Sequence, residues 1–339
     1  MNSPGPGMRD LSLALARFVF AAARGAAPVP QPSWGAFFRG IYGSLRVHFF
    51  AIPAGAALAG SAAAPSADAT WRVLLAAAAA GIGWGGGQLI NDLLDVRADA
   101  IDAPDRPVVR GQLPAGPTLM VAVTVGIAVW STVSAIHPGG AWLGALAALL
   151  LLAYGAARRV PLMGNVAHAA LVATATWIGA AAAQPERSLL QCVSFAWQPG
   201  LLCGAWAALY LQANYEKDFQ GDQAAGYQTL VHVIGVRASA ALRGFGSGWV
   251  GWVAWNMHES LLASTGVVVS TVLMIISALP PAITGSAKSS LGSYRFAVHG
   301  TNLGLLSLGL PAVSPAIGLA GMAVSVVLTE RAFSRTPNP

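Results

Sequence analysis

The sequence has few charged residues and almost no cysteine. Only 9% of its 339 residues are charged, whereas soluble globular chains carry roughly a quarter. This scarcity argues against an ordinary soluble domain. Cys192 and Cys203 are the only cysteines, and they form no CxxC pair. They therefore support neither a disulfide framework nor a zinc site.

Long apolar runs take the place of the missing charge. Hydrophobic residues make up 55% of the chain, and the mean hydropathy is +0.60. Many of the runs reach about twenty residues, the length of a transmembrane helix. The net charge is +6, but the basic residues are scattered between apolar runs and form no nucleic-acid-binding face. The composition predicts an all-α, polytopic membrane protein in contact with the lipid bilayer and not with nucleic acid.

The apolar runs predict nine transmembrane helices. Pro311 and Pro315 should kink or break the last of them. The predicted spans are 42–62, 71–91, 117–136, 141–157, 164–183, 199–216, 236–257, 261–282 and 300–328.

The segments outside the spans divide the chain into three parts. Residues 1–40 form an N-terminal amphipathic and linker segment, 41–330 the transmembrane domain, and 331–339 a C-terminal tail. Arg9, Arg17 and Arg24 give the first segment an Arg-bearing, acid-poor pattern. This pattern fits a targeting peptide, but an interfacial helix lying on the membrane is the preferred interpretation.

The basic residues predict how the chain is oriented. With the N-terminus inside, fifteen Lys and Arg residues fall on the cytoplasmic side. Only Arg72, Arg187, Arg331 and Arg335 fall opposite, and the last two fit the bias least well. This positive-inside asymmetry predicts an integral protein of a bacterial-type inner or plasma membrane, with both of its acidic clusters facing the cytoplasm.

The first acidic cluster lies in the window 88–111, which holds five of the thirteen acidic residues. If the preceding helix continues through Asp102, then Asp92, Asp95, Asp99 and Asp102 share one face. Carboxylates this close repel one another unless a cation lies between them, and Mg²⁺ suits a site that a substrate phosphate completes. A solvated acidic turn is the alternative, but ionisable groups at the end of a membrane span are usually functional.

A second acidic cluster and a basic pair follow later spans. Asp218 and Asp222, beside Glu216, are one helical turn apart and could share a cation. Arg158 lies one turn after Tyr154 and could grip phosphate oxygens with its guanidinium. A topological anchor is sufficient to explain Arg159. Together the clusters suggest two carboxylate groups that hold Mg²⁺ ions on a diphosphate.

These motifs resemble those of the UbiA superfamily of intramembrane prenyltransferases, over most of residues 42–328. The NDxxDxxxD motif and its extension are matched by Asn91, Asp92, Asp95, Asp99, Asp102, Pro104, Arg106, Pro107 and Gly111. The DxxxD motif and its context are matched by Asp218, Gly221, Asp222, Gly226, Thr229 and Leu230. The YxxxK-R…GN segment is matched by Tyr154, Arg158, Arg159, Gly164 and Asn165. The branch that looks most similar contains chlorophyll synthases and archaeal lipid-forming enzymes.

The sequence also departs from the family pattern. Arg158 replaces the usual Lys, Tyr215 an Asp found in many members, Gln220 a common Glu and Arg110 a Ser. The second metal site therefore has fewer carboxylates than the family usually provides.

The resemblance implies a nine-helix bundle whose central cavity opens to the cytoplasmic side, and a prenyltransferase activity. The implied reaction is Mg²⁺-dependent transfer from a prenyl diphosphate to an aromatic or lipophilic acceptor. The implied metal ligands are Asn91, Asp92, Asp95, Asp99, Asp218 and Asp222. The diphosphate would be held by Arg158 and Lys217, with help from Asn91, Arg106 and Tyr154. Trp84 or Phe50 would shield the allylic cation.

Two other functions remain compatible with the sequence. A terpene cyclase of the same superfamily would use the same metal chemistry without an acceptor. A secondary transporter would also place charged residues in its helices, but near the bilayer midplane.

Overall fold

The computed structural model describes residues 32–64, 70–257 and 260–335, and within these ranges every regular element is a helix. The prediction of an amphipathic segment before residue 32 lies outside the described residues. The α-helices are α1 (Trp34–Leu45), α2 (Ala51–Ala63), α3 (Thr70–Leu94), α4 (Val96–Asp102), α5 (Ala115–Ile136), α6 (Gly140–Ala157), α7 (Met163–Ala183), α8 (Leu189–Lys217), α9 (Phe219–Ala224), α10 (Leu230–Asn256), α11 (Leu261–Thr284), α12 (Ala287–Gly309) and α13 (Pro315–Arg335). Short 3₁₀ turns occupy Val47–Phe49 and Leu310–Ala312.

Local sequence signals set several helix ends. Ser188 and Gln191 form a reciprocal capping box at the start of α8, which satisfies backbone donors that a helix leaves unpaired. Gly285 ends α11 with φ of 69°, a left-handed conformation that favours glycine. Gly235 interrupts α10 with φ of 79°. Its regular part therefore begins at Val236, the first residue of the predicted span 236–257.

The helices confirm an integral membrane protein. In the described ranges seven helices are long and apolar enough to cross a membrane, or eight if the bent pair α1–α2 forms one span. The six predicted spans 71–91, 117–136, 141–157, 164–183, 199–216 and 261–282 each coincide with one of the seven. The span 42–62 corresponds to the bent pair. The span 236–257 corresponds to α10, which carries more polar residues.

The predicted break in the ninth span, 300–328, is confirmed, but it separates two helices, so the assignment of one span to this range was wrong. The range crosses the end of α12, the turn Leu310–Ala312 and the start of α13, because two prolines end one helix and begin another. His299 contacts Glu330 at 2.6 Å, and Asn302 contacts Thr329 at 3.4 Å, so α12 and α13 run antiparallel.

The extra helix changes the charge assignment at the C-terminus. Arg331 and Arg335 lie at the same end of the bundle as the acidic clusters, where they line a cavity together with Asp92. They were assigned to the opposite side because the sequence suggested one final span. In the described part of the chain, only Arg72 and Arg187 then remain at the other end. The difference in positive charge between the two ends of the bundle is larger than the sequence predicted.

Close helix contacts through small residues hold the core together. Gly60 of α2 lies against the backbone of Thr176, and Gly179 of α7 lies against that of Ala57. Ser61 reinforces the contact by donating to the Gly179 carbonyl at 2.9 Å. Because any side chain at either glycine would overlap the opposite backbone, α2 and α7 require glycine to pack this closely.

Glu216 belongs to this core and not to the second acidic cluster. Its carboxylate lies 2.8 Å from the guanidinium of Arg243, and both side chains are buried. Ser239 and Ser290 donate to the same carboxylate, each at 2.8 Å. A buried charge requires such partners, so Glu216 ties α8 to α10 and α12.

Candidate active site

The first acidic cluster spans two neighbouring elements of the fold, the end of α3 and the helix α4. The helix pauses at Asp95, which separates α3 from α4, although the hydrogen bond from the Asp95 amide to the Asn91 carbonyl persists at 2.8 Å. Asp95, Asp99 and Asp102 line one cavity, and Asp92 is buried beside it. Two of them, Asp92 and Asp99, converge on Arg106.

Arginines neutralise the Asp92 and Asp99 carboxylates. Arg46 donates to Asp92 at 2.5 Å and to Gln88 at 2.7 Å. Arg106 donates to Asp99 and lies 3.8 Å from Asp92. Arg46 follows the end of α1 with φ of 48°, an uncommon conformation outside glycine, and its side chain reaches inward from there.

Arg158 joins the two acidic clusters. Its guanidinium donates to Asp95 at 2.5 Å and lies 4.0 Å from Asp222. The Tyr227 hydroxyl donates to the same Asp95 oxygen at 2.8 Å, and the guanidinium stacks on the Tyr227 ring at 4.0 Å. The Tyr154 ring lies 5.1 Å away. Residues separated by more than a hundred positions therefore form one charged group.

A backbone contact fixes the same junction. The Gly221 amide at the start of α9 donates to the Asp102 carboxylate at 2.7 Å. A Cβ at position 221 would overlap this carboxylate and the Ala98 carbonyl. Glycine therefore allows α4 and α9 to approach closely enough for the two clusters to meet.

Other predicted residues pair beside this junction. Lys217 contacts both Asp218 carboxylate oxygens, at 2.6 and 2.7 Å, and lies 4.8 Å from the Tyr294 ring centre. Tyr215 donates to the Tyr154 hydroxyl at 3.2 Å. At the position where many family members have an aspartate, this chain therefore has an uncharged side chain that donates a hydrogen bond.

A cavity of about 450 Å³ begins at this charged group and extends into the bundle. Its walls include these predicted site residues: Asn91, Asp95, Asp99, Asp218, Asp222, Arg106, Arg158 and Tyr154. Asp92 and Lys217 are buried beside the cavity without lining it. The cavity matches the predicted central chamber at one end of the bundle.

The deeper part of the cavity is apolar and lies between α3, α5, α6 and α7. It runs from Asn91 to Ala79 along α3, about 18 Å at 1.5 Å per residue. Trp84, Trp130 and Ile178 line this part. Phe50 instead packs against Gly81 and Gly85, so of the two aromatic residues predicted to shield a cation only Trp84 lines the cavity.

Burial shifts the titration of the acidic groups. It raises the pKa of Asp99 to about 6 against the opposing charge of Arg106. It raises the pKa of Asp222 to about 8, although Arg158 opposes this shift. Burial alone would lower the pKa of Arg158, but Asp95 raises it well above the usual value. Burial also raises the pKa of Asp102 to about 6, so the site holds three carboxylates that ionise reluctantly beside permanent positive charges.

Three buried carboxylate oxygens fit a hard cation. The second oxygens of Asp92, Asp99 and Asp222 have no hydrogen-bond partner, and buried acceptors without partners require an explanation. In the described ranges no three His, Cys, Asp or Glu side chains lie close enough to hold a metal alone. This arrangement suits Mg²⁺, which uses few carboxylates and takes other oxygens from phosphates or water.

Several site residues were not predicted. Arg46 compensates Asp92, Tyr227 positions Asp95, and His168 lies 5.1 Å from the Trp84 ring in the cavity wall. Tyr227 lies within the second motif, so its position in the sequence could have identified it as a candidate site residue. Arg46 and His168 fall outside the motifs, and only the folded chain brings them to the site.

An all-helical membrane bundle with opposed acidic motifs above an apolar cavity defines a class of intramembrane enzymes that handle diphosphates. The chain belongs to the UbiA prenyltransferase family, whose sequence model matches residues 50–292.

Individual relatives agree with this assignment. Digeranylgeranylglyceryl phosphate synthase of Methanothrix thermoacetophila is 32% identical over 160 residues, covering 47% of this chain and 57% of the relative. The chain thus matches little more than half the length of this relative. The apo structure of a UbiA homolog from Aeropyrum pernix K1 aligns with a TM-score of 0.63 at 18% identity, covering 82% of this chain and 98% of that one. A UbiA homolog from Archaeoglobus fulgidus bound to GPP and Mg²⁺ aligns with a TM-score of 0.53 at 16% identity, covering 87% and 98%.

Proposed function

We propose that this protein transfers a prenyl group from a prenyl diphosphate to a lipophilic acceptor within the membrane, with Mg²⁺ as cofactor. The observation that carries the proposal is the position of Arg158. It joins Asp95 to Asp222 at the mouth of an apolar cavity. A diphosphate fits the charged mouth, and its hydrocarbon tail fits the apolar interior.

The residues that would hold Mg²⁺ come from both clusters. Asp95, Asp99, Asp218 and Asp222 line the cavity with Asn91. Asp92 pairs with Arg46 through one oxygen and keeps the other unpartnered, but it lies beside the cavity and not in its wall, so it would have to turn towards the cavity to act as a ligand. When bound, Mg²⁺ supplies Lewis-acid stabilisation of the charge that develops on the departing diphosphate.

The chain's own residues support the same step. Arg158 and Arg106 provide guanidinium donors for diphosphate oxygens, and Tyr154 supports Arg158 through its ring. Lys217 adds positive charge behind Asp218. As the allylic C–O bond breaks, the ring of Trp84 stabilises the cationic fragment. The acceptor hydroxyl oxygen then forms the new C–O bond, and its proton passes to the departed diphosphate.

The named relative indicates the kind of acceptor. Its name describes the synthesis of a diprenylated glyceryl phosphate, which corresponds to a phosphate-bearing glyceryl lipid and not to an aromatic ring. We therefore favour a glyceryl phosphate acceptor over the aromatic acceptor that the wider superfamily suggested.

The charge asymmetry supports the proposed orientation. Positive residues concentrate at the end of the bundle that carries the site, so we place this end in the cytoplasm and the bundle in an inner or plasma membrane. The charged groups gather at one end and not near the middle of the spans, which disfavours a secondary transporter.

A double-mutant experiment tests whether the two clusters act as one site. Asp95→Ala and Asp222→Ala should each abolish most prenyl transfer, and their combination should cost far less than the sum of the two losses. Glu186→Ala, in the exposed connection at the opposite end, is the matched control and should remain active.

Diphosphate binding provides the direct measurement. Binding of geranylgeranyl diphosphate should require Mg²⁺, disappear with EDTA and weaken in both single variants. Equal binding under all these conditions would contradict the shared site. Mass spectrometry of the products distinguishes a prenyltransferase from a terpene cyclase, because the cyclase would form a cyclic hydrocarbon from the diphosphate alone.

A further inference from the structure

A second cavity, of about 230 Å³, lies at the same end of the bundle, between α1, the loop after α4 and the end of α13. Four arginines line it: Arg46, Arg106, Arg331 and Arg335. Its size is below the roughly 300 Å³ at which pockets for drug-sized ligands begin. It therefore suits a small headgroup better than a whole lipid.

The cavity has a surplus of positive charge. Arg46 is paired with Asp92 and Arg106 with Asp99. The remaining acidic residue in the wall, Asp105, is paired with Arg110. Arg331 and Arg335 make no ion pair with any other described side chain, and they give this wall its uncompensated charge.

Buried polar groups in the same walls also lack partners. Ser44 and His48 are 1% and 4% exposed, and the Ser44 hydroxyl and the Nε2 of His48 have no hydrogen bond. The Nε of Arg106 is unpaired as well. Buried polar groups normally find partners, so these unpaired atoms beside two free guanidinium groups indicate a site for a ligand with several oxygen acceptors.

The rim of the cavity gives a route from the membrane. Trp34, Phe38 and Tyr42 are exposed at four-residue spacing on α1, whereas Phe37 and Ser44 on the other face are buried. This pattern places α1 along the membrane interface, and Tyr42 also lines the cavity. An amphiphile can therefore enter with its headgroup while its tail stays in lipid.

The two cavities share a wall. Arg46 and Arg106 line both the main cavity and the smaller one. A headgroup in the smaller cavity would therefore be separated from the diphosphate site only by these two side chains.

We infer that the smaller cavity binds the phosphate headgroup of the acceptor and that Arg331 and Arg335 determine specificity for it. This inference rests on the proposed prenyl transfer. Phosphate oxygens suit guanidinium groups because they accept paired, charge-assisted hydrogen bonds. Both arginines lie beyond residues 50–292, the part that the family model matches. The family resemblance therefore does not assign this site.

The test compares two acceptors that differ only in phosphate, geranylgeranylglyceryl phosphate and geranylgeranylglycerol. In the variant Arg331→Gln/Arg335→Gln, the KM for the phosphate acceptor should rise about tenfold or more, the equivalent of one strong charge-assisted contact. The KM values for the alcohol and for the prenyl diphosphate should change less than twofold. The double substitution Lys288→Gln/Arg295→Gln removes the same charge from exposed positions at this end and should leave all three unchanged.

Thermal stabilisation by each acceptor gives a readout without turnover, so failure of prenyl transfer would not obscure the result. The phosphate acceptor should stabilise the parent more than the alcohol does, and the double arginine variant should lose this difference. An unchanged KM and unchanged stabilisation in that variant would overturn the inference. It would also be overturned if the variant lost only its stabilisation by phosphatidylglycerol vesicles, because the cavity would then bind bilayer lipid.

Discussion

Gly221→Ala should separate the two halves of the active site without unfolding the protein. Gly221 lies in α9, where its amide donates to Asp102, and an added Cβ would overlap the Asp102 carboxylate and the Ala98 carbonyl. The overlapping atoms include backbone, so the side chain cannot simply rotate away. We expect α9 to shift away from α4 and carry Asp222 with it.

The structure sets the size of this effect. Loss of the hydrogen bond to a charged group costs roughly 1.5–3 kcal/mol, and replacing glycine by alanine in a helix returns roughly 0.5–1 kcal/mol. The net loss of stability is therefore about 0.5–2.5 kcal/mol, too small to unfold a large bundle. A displacement of about 1 Å can reduce catalysis roughly a hundredfold, so kcat/KM should fall far more than stability does.

The assay measures kcat/KM for the prenyl diphosphate, Mg²⁺-dependent diphosphate binding and the thermal midpoint of each variant. Gly292→Ala is the matched control, because this helical position has open space around it, and it should be neutral or slightly stabilising. If Gly221→Ala bound diphosphate and turned over like Gly292→Ala, the close approach of α4 and α9 would not be needed for the site.

Three further predictions follow from the same geometry. Arg158→Lys keeps the positive charge between Asp95 and Asp222 and should retain substantial kcat/KM, whereas Arg158→Ala should lose most of it; parent-like turnover of the alanine variant would reduce Arg158 to a topological anchor. Since burial raises the pKa of Asp222 to about 8, this carboxyl is mostly protonated at pH 7. Binding of Mg²⁺ and diphosphate should therefore release up to about 0.9 proton from it, and affinity should weaken as the pH falls below 8. Calorimetry in two buffers of different ionisation enthalpy measures the number of protons released on binding. The Asp222→Asn variant should lack the proton that Asp222 contributes. Equal proton release by the parent and the variant would show that Asp222 is not its source. In a cysteine-free background, a single cysteine at Ser334 should be as protected from an impermeant thiol reagent outside intact cells as one at Gln223, and labelling at Ser334 alone would contradict the position of α13.

The sequence predicted the helices and the meeting of the two clusters for physical reasons. Membrane-length apolar runs have few alternatives to helix, and scarce carboxylates at the ends of such runs need a positive partner. The structure provides that partner in Arg158, between Asp95 and Asp222. The charge pattern was sufficient to predict this meeting without any knowledge of tertiary structure.

The direction in which each side chain points could not be predicted. Asp92 and Asp95 belong to one motif, but they pair with Arg46 and Arg158 respectively. Glu216 adjoins the second motif, but it lies on the side of α8 that faces α10, where it pairs with Arg243. These directions depend on helix rotation and local breaks, which change hydropathy very little.

The buried pair of Glu216 and Arg243 has a consequence for how the protein is made. Arg243 is one of the polar residues that make α10 less apolar than its neighbours, and a lone arginine opposes entry of a helix into lipid. Glu216 lies earlier in the chain, so its helix is synthesised before α10 and can supply the counter-charge as α10 follows. The order of residues along the chain thus serves the assembly of the bundle as well as its final contacts.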